Sequence, residues 1–154
     1  MSNTNTRRHL LISGTVLGVA ASAATAAAAA ASLSKNVELV RAFCKAGQDL
    51  DLDKQMTFIA ETAIYHNMPD EPVNGAKAIR ELLAGYAKCE KAEIIIHRIV
   101  EAPDGTVLTE RLDRFMMGGK WIDCPVMGSC DIKDGKIVVW RDYYDNLKLR
   151  AQMA

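Results

Sequence analysis

The chain has 154 residues, with 19 basic and 19 acidic side chains and a formal net charge of zero. Its first 31 residues contain Arg7 and Arg8 but no acidic residue, so residues 32–154 carry 17 basic against 19 acidic side chains, a balance of −2. Such a balance leaves no basic stripe to neutralise phosphates, which argues against a nucleic-acid partner.

The N-terminal segment, residues 1–31, has the composition of an export signal. The pair Arg7-Arg8 precedes Leu10-Leu11-Ile12 and an alanine-rich run that ends in small residues. This order predicts a signal peptide of the twin-arginine type, export in the folded state, a periplasmic or secreted location, and membrane contact only through the leader. An ordinary secretory leader and an uncleaved anchor are the alternatives. Residues 32–154 then have a common size for a single domain with one core.

Three helices are predicted in the first half of this domain. Ser34 is a typical N-cap for a first helix, whose apolar residues recur at helical spacing as far as Leu50. A second helix is predicted over residues 51–60 and a third over residues 76–88, each with an apolar stripe. A short strand at residues 63–68 lies between them.

After the third helix the pattern predicts only strands. Four of them, over residues 94–100, 106–117 and 120–132 and from about residue 135, are separated by turns that each contain glycine. Helices followed by such a meander predict an α+β domain. The layout resembles the cone-shaped NTF2-like (cystatin-like) fold, in which helices pack on a curved mixed, mostly antiparallel sheet that encloses a pocket. Many functions share this fold.

Polar side chains interrupt three of the apolar strands at a spacing of two residues. Tyr65 and Asn67 share a face, and so do Arg111 and Asp113. Asp142 lies among large apolar residues of the last strand, where a desolvated carboxylate must be paired, hydrogen-bonded or protonated. The alternatives are a water-facing edge strand for Asp142 and a surface ion pair between Arg111 and Asp113.

Alternation along the last strand also predicts part of a pocket wall. It places Val138, Trp140, Asp142 and Tyr144 on one face. Methionines could add an adaptable apolar surface, with core filling as their alternative role. The predicted substrate-pocket residues are Trp140, Tyr144, Met127 and Met68.

Two carboxylates beside one arginine form a unit suited to acid and base chemistry. The arginine allows one carboxyl group to stay ionised while the other is protonated, which simultaneous general base and general acid catalysis requires. Tyr65 and Asn67 would supply a hydroxyl and an amide that hold a water molecule against the basic carboxylate.

Three segments resemble those of the limonene epoxide hydrolases. Tyr65-x-Asn67, Glu110-Arg111-Leu112-Asp113 and Trp140-Arg141-Asp142-Tyr143-Tyr144-Asp145 match the Y-x-N, E-R-V-D and W-R-D-Y-F-D segments of that family in order and spacing. The resemblance covers essentially all of the domain, from the first predicted helix to Asp145. Tyr144 stands where the family has phenylalanine, so one wall of the pocket is expected to be more polar here.

The resemblance implies a role for each residue of the site. Asp142 would deprotonate water, Tyr65 and Asn67 would hold that water, Asp113 would protonate the epoxide oxygen, and Arg111 would bridge both carboxylates. The implied activity is one-step hydration of a small hydrophobic epoxide to a vicinal diol, with neither a covalent intermediate nor a metal or cofactor. A homodimer is also implied.

Rival functions on the same cone are a polyketide cyclase or ketosteroid-isomerase-like enzyme, and a non-catalytic binder of a small hydrophobic ligand. His66 alternates away from Tyr65 and Asn67, and His97 has no Cys or His partner at ligand spacing, so neither predicts a metal site. An oxidising compartment would permit disulfides, but a twin-arginine substrate commonly folds before it arrives there, and the spacing of the cysteines resembles neither a zinc ribbon nor a CxxC redox site. Four buried, reduced thiols are therefore expected. They are Cys44, Cys89, Cys124 and Cys130.

Overall fold

A computed structural model of the protein describes residues 34–153. The helices and strands in these residues are, in chain order, α1 (Lys35–Gln48), α2 (Leu52–Met56), β1 (Ile59–Met68), β2 (Val73–Asn74), α3 (Ala76–Tyr86), β3 (Lys91–Glu101), β4 (Val107–Met117), β5 (Lys120–Lys133), β6 (Lys136–Tyr143) and α4 (Asn146–Met153). The export signal predicted for residues 1–31 lies outside the described part of the chain. Within residues 34–153, no helix combines the length and hydropathy needed to cross a membrane.

The six strands form one mixed sheet in the order β2-β1-β6-β5-β4-β3. All neighbours pair antiparallel except β1 and β6, which are parallel. The sheet is curved and unclosed, and helices pack on it. The predicted α+β architecture with a mostly antiparallel sheet is therefore confirmed. Parallel pairing of β1 and β6 matters for function because it places Asn67 directly beside Asp142.

The first helix supplies much of the core. The Ser34 hydroxyl caps it by accepting a hydrogen bond from the Val37 amide at 3.1 Å, as predicted. Its apolar stripe, which includes the fully buried Val40, packs in one cluster with sheet residues such as Ile137 and Trp140. Burial of this stripe, rather than helix propensity alone, holds the helix on the sheet.

The second helix is shorter than predicted. It ends at Met56, and residues 59 and 60 belong to β1 instead. The Phe58 carbonyl accepts a hydrogen bond from the Ile137 amide at 2.8 Å, and buried Ile59 pairs with Ile137 across the parallel strands. Tertiary pairing of a β-branched residue thus overrides a weak helical pattern.

The sequence pattern misses two elements, the two-residue β2 and the C-terminal α4. Side-chain hydrogen bonds hold α4 in place. Asp145 caps it by accepting from the Lys148 amide at 2.9 Å. The Gln152 side chain accepts from the Asp123 amide at 2.9 Å and donates to the Asp123 carbonyl at 2.8 Å, so it pairs with β5 as a strand residue would. No residue of α4 is fully buried, which explains its weak apolar periodicity.

A bulge in β6 changes which of its residues face the core. Ile137 pairs with Ile132 and Val139 with Asp131, so Val138 is an extra residue on β6. Ile137 is fully buried on the core side, and the predicted placement of Val138 on the face of Trp140 is wrong. Tyr144 lies beyond the end of β6 rather than within it.

Candidate active site

A pocket opens between the helices and the inner face of the sheet. All five polar residues of the predicted site line it: Tyr65, Asn67, Arg111, Asp113 and Asp142. The pocket wall is otherwise mainly apolar, with contributions from all four helices, the loop between α1 and α2, and four strands: Phe43, Leu50, Leu52, Leu83, Ile94, Phe115, Val126, Trp140 and Leu149. A concave apolar site with a few convergent polar groups is the usual form of a small-molecule site.

Arg111 joins the two carboxylates at the floor of this pocket. Its Nη2 lies 2.7 Å from Asp142 Oδ2, and its Nε lies 2.9 Å from Asp113 Oδ1 and 3.1 Å from Asp113 Oδ2. The side chains of Arg111, Asp113 and Asp142 are 6%, 13% and 5% exposed, respectively. The alternative of a surface ion pair is therefore wrong. The edge-strand alternative for Asp142 is also wrong, since β6 lies between β1 and β5.

Thr109, which is not among the residues predicted from the sequence, completes the set of contacts around the guanidinium. Its buried hydroxyl accepts a hydrogen bond from Arg111 Nη1 at 3.1 Å. Thr109 precedes Arg111 by two residues in β4, so the alternation that identified Arg111 and Asp113 could have identified it too. Nε, Nη1 and Nη2 of Arg111 thereby each have a partner, which fixes the orientation of the guanidinium.

The surroundings of Asp113 favour its protonated form. Burial raises the pKa of the Asp113 carboxyl and the neighbouring Asp142 carboxylate raises it further, while the Arg111 guanidinium opposes both effects. Burial alone would lower the pKa of Arg111, but the two carboxylates outweigh it and keep that pKa above its ordinary value. Arg111 therefore stays charged, and protonation of Asp113 would make the three-residue cluster neutral.

The second oxygen of Asp142 is available to a ligand. Asp142 Oδ1 is buried, and no described residue donates a hydrogen bond to it. A buried carboxylate oxygen in this state is a strong acceptor for a donor that enters the pocket. Both oxygens of Asp113 accept from Arg111 Nε, so among the described residues Asp142 is the carboxylate of this cluster with an oxygen left free for a ligand.

Tyr65 and Asn67 flank Asp142 from the neighbouring strand. The Tyr65 ring stacks on Trp140 with centroids 3.8 Å apart, and Asn67 pairs in register with Asp142. Burial raises the pKa of Tyr65 well above its ordinary value, and the Asp142 carboxylate adds to this. The Tyr65 phenol therefore keeps its proton and can donate it in a hydrogen bond.

Two of the four predicted substrate-pocket residues do line the pocket, namely Trp140 and Tyr144. The Tyr144 hydroxyl accepts a hydrogen bond from Asn67 Nδ2 at 3.1 Å, so this wall carries the expected polar group. The prediction for Met127 and Met68 is wrong. Residues of β5 that face the pocket alternate with Met127, which is 55% exposed on the outer face. Met68 directly follows the pocket residue Asn67 in β1, so the same alternation places it outside the pocket lining.

The prediction of four buried, reduced thiols is confirmed for Cys44, Cys89, Cys124 and Cys130. Cys44 and Cys124 line the pocket. Burial, as the largest cause, raises the pKa of each of these two thiols to about 12, so both stay protonated and are poor nucleophiles. In residues 34–153, no group of three or more His, Cys, Asp or Glu side chains is arranged to hold a metal ion.

Comparison with protein families agrees with this geometry. The family model described as the limonene-1,2-epoxide hydrolase catalytic domain matches residues 34–154. The chain belongs to the limonene-1,2-epoxide hydrolase family. The motifs that suggested the resemblance are thus part of a match that runs from the N-cap of α1 to the C-terminal residue.

Known relatives extend the comparison. The chain is 33% identical over 106 residues to the epoxide hydrolase EphG of Mycobacterium tuberculosis, a match that covers 69% of this chain and 70% of that protein. A solved structure of an M. tuberculosis epoxide hydrolase of limonene epoxide hydrolase type superposes with a TM-score of 0.68 at 29% identity, covering 77% of this chain and 88% of that one.

The fold itself is shared more widely. An NTF2-like protein of unknown function from Burkholderia pseudomallei has a TM-score of 0.70 at 12% identity, covering 79% of this chain and 99% of that one. Identity this low bears on the fold alone. The predicted NTF2-like fold is confirmed.

Proposed function

We propose that this member of the limonene-1,2-epoxide hydrolase family hydrates a small, mostly hydrophobic epoxide to a vicinal diol in one step, without a cofactor. The observation that carries the proposal is a single buried guanidinium that bridges two carboxylates in an apolar pocket. A protein that only binds a hydrophobic ligand gains nothing from burying two acids, because their desolvation costs free energy. A catalytic role for Asp113 and Asp142 accounts for the burial of both acids.

In the proposed mechanism, a water molecule lies against Asp142 Oδ1, held by Tyr65 and Asn67. Asp142 takes a proton from the water while the water oxygen attacks one epoxide carbon. The bond from that carbon to the epoxide oxygen breaks, and this oxygen receives the proton of Asp113. One turnover therefore leaves Asp142 protonated and Asp113 ionised, and one proton must return from Asp142 to Asp113.

Arg111 is proposed to support both halves of the reaction. It contacts each carboxylate in the resting enzyme and would keep contacting them as the proton moves from one side to the other. The positive charge is fixed before the reaction starts, so no reorganisation is needed in the transition state. The apolar wall would bind the hydrocarbon part of the substrate and exclude bulk water.

The proposed function is tested by turnover of terpene, styrene and cyclohexene epoxides, measured beside enone and cyclase substrates. Diol formation from at least one epoxide, with no turnover of the other two classes, is the result we expect. Turnover of an enone or a cyclase substrate alone would replace the proposal by the rival enzymes of the same fold.

Isotope labelling distinguishes direct attack of water from a covalent mechanism. A single turnover in heavy-oxygen water is expected to place the label in the diol and none in the protein, because the attacking oxygen comes from the solvent. If a protein carboxylate attacked instead, the first diol would carry a protein oxygen and the label would appear in the enzyme. Mass spectrometry of diol and protein after one turnover decides between the two outcomes.

We also propose a homodimer formed through the outer face of the sheet. This face exposes large apolar side chains on adjacent strands: Ile95, Val100, Leu108, Met127 and Tyr143. Apolar side chains clustered on a surface mark an interaction site more often than scattered ones do. A second copy of this chain is the partner we propose, as the family resemblance suggests.

A charged substitution on the outer face tests this assembly. Met127→Lys is expected to convert a dimer into a monomer in light scattering, because burying an ammonium at an apolar interface costs free energy of desolvation. Leu147→Lys is the matched control, since Leu147 is 83% exposed on α4, away from the sheet face, and this variant should remain a dimer. A monomeric wild-type protein, or a dimeric Met127→Lys variant, would contradict the proposed interface.

A further inference from the structure

Gly128 lies at the centre of the sheet, between two residues of the catalytic cluster. In β5 it pairs with Thr109 of β4 on one side and with Asp142 of β6 on the other. Glycine inside a strand weakens the strand unless another group needs to approach the backbone closely. The guanidinium of Arg111 is such a group, because it starts on β4 and reaches across β5 to Asp142.

Space, rather than backbone conformation, accounts for the glycine. Its φ lies outside the left-handed range, so other residues could adopt its backbone. A Cβ at this position, however, would overlap Arg111 Nη1 and would lie 2.7 Å from Thr109 Oγ1 and 2.9 Å from Asp142 Oδ1. All three are ends of side chains. A methyl group therefore requires the guanidinium to move away and the Thr109 hydroxyl and Asp142 carboxylate to shift as well, whereas none of these three contacts involves the backbone of the sheet.

We infer that Gly128 is a positioning residue that sets the contact between Arg111 and Asp142. The guanidinium lies over the bare backbone of Gly128, and this is what lets one fork touch Thr109 and Asp142 at once. Any side chain at position 128 would displace Nη1 and Nη2 of Arg111 from this position. The Asp142 carboxylate would then lose its contact with the guanidinium. The catalytic consequence of this inference rests on the proposed function, whereas the geometric consequence does not.

The variant Gly128→Ala tests the inference, with Gly85→Ala as its matched control. Gly85 is in α3, and a Cβ added there would have no atom within 4 Å. In Gly128→Ala we expect kcat to fall about a hundredfold, the typical cost of losing one preorganised electrostatic contact, while KM changes by less than about threefold. KM should change little because the apolar wall is untouched. Gly85→Ala should keep both constants.

Crystal structures of the two variants give a readout that needs no activity. The distance from Arg111 Nη2 to Asp142 Oδ2, 2.7 Å here, is expected to exceed hydrogen-bonding distance in Gly128→Ala and to stay unchanged in Gly85→Ala. If the wild type opens no epoxide but this displacement occurs, the proposed function fails and the positioning role stands. An unmoved guanidinium, an unchanged kcat in an active enzyme, or loss of the folded state in Gly128→Ala would overturn the inference.

Discussion

Asp142→Asn is expected to abolish diol formation while the protein stays folded. The amide has nearly the shape of the carboxylate but cannot take a proton from water, so the base is lost and the pocket is kept. General base catalysis contributes about 10²- to 10⁴-fold, and the substitution also removes the negative charge opposite Arg111. Steady-state diol formation at saturating epoxide, with the melting temperature measured in parallel, gives the result.

The control for this variant is Asp131→Asn. Asp131 also pairs with an arginine, Arg141, at 3.1 Å, but on the other face of the sheet and about one-third exposed. Loss of a partly exposed ion pair has little effect, so this variant should keep wild-type activity. Activity of Asp142→Asn above about a tenth of wild type would show that Asp142 is not the base.

Asp113→Asn is expected to cause a loss of similar size by removing the acid. An amide cannot protonate the departing epoxide oxygen, while its shape still allows contact with Arg111. The experiment is the same steady-state assay, with Asp123→Asn as control because Asp123 pairs with Arg114 at 2.8 Å and its side chain is 48% exposed. Wild-type rates in Asp113→Asn would transfer the role of acid to another group.

The pH dependence of stability and of kcat in the wild-type protein follows from Asp113. Because burial raises the pKa of Asp113, the folded protein binds this proton more tightly than the unfolded chain does. The corresponding contribution to stability is present at low pH and is lost as the pH rises through the raised pKa. The acid form is lost over the same range, so kcat should fall on the alkaline side, from a pH above the ordinary carboxyl value of 3.8.

The catalytic cluster could be predicted from the sequence because strands have a strict period of two. Polar residues at that period in apolar strands, such as Arg111 and Asp113, can only share a face. The same rule failed for Met127, because the period does not say which of the two faces is the inner one. It also failed at Val138, where a bulge shifts the alternation by one residue.

Other features carry no such local signal. The role of α4 depends on hydrogen bonds from Gln152 to a strand 29 residues away, which no periodicity encodes. The end of α2 is set by pairing of Ile59 with Ile137, a contact between distant parts of the chain. Gly128 is an ordinary glycine in the sequence, and its importance emerges only when Arg111, Thr109 and Asp142 surround it.

The pairing of Gln152 with Asp123 has a consequence for solubility. β6 ends at Tyr143, opposite Met127, so in the described part of the chain residues 120–126 of β5 pair with β4 but not with β6. An open strand edge of this kind invites a strand from another molecule and is a route to aggregation. The side-chain amide of Gln152 occupies the backbone N–H and C=O of Asp123. The same helix also places Leu149 in the pocket wall. One short helix thus shields the sheet from foreign strands and helps to shape the cavity, which couples resistance to aggregation with substrate binding.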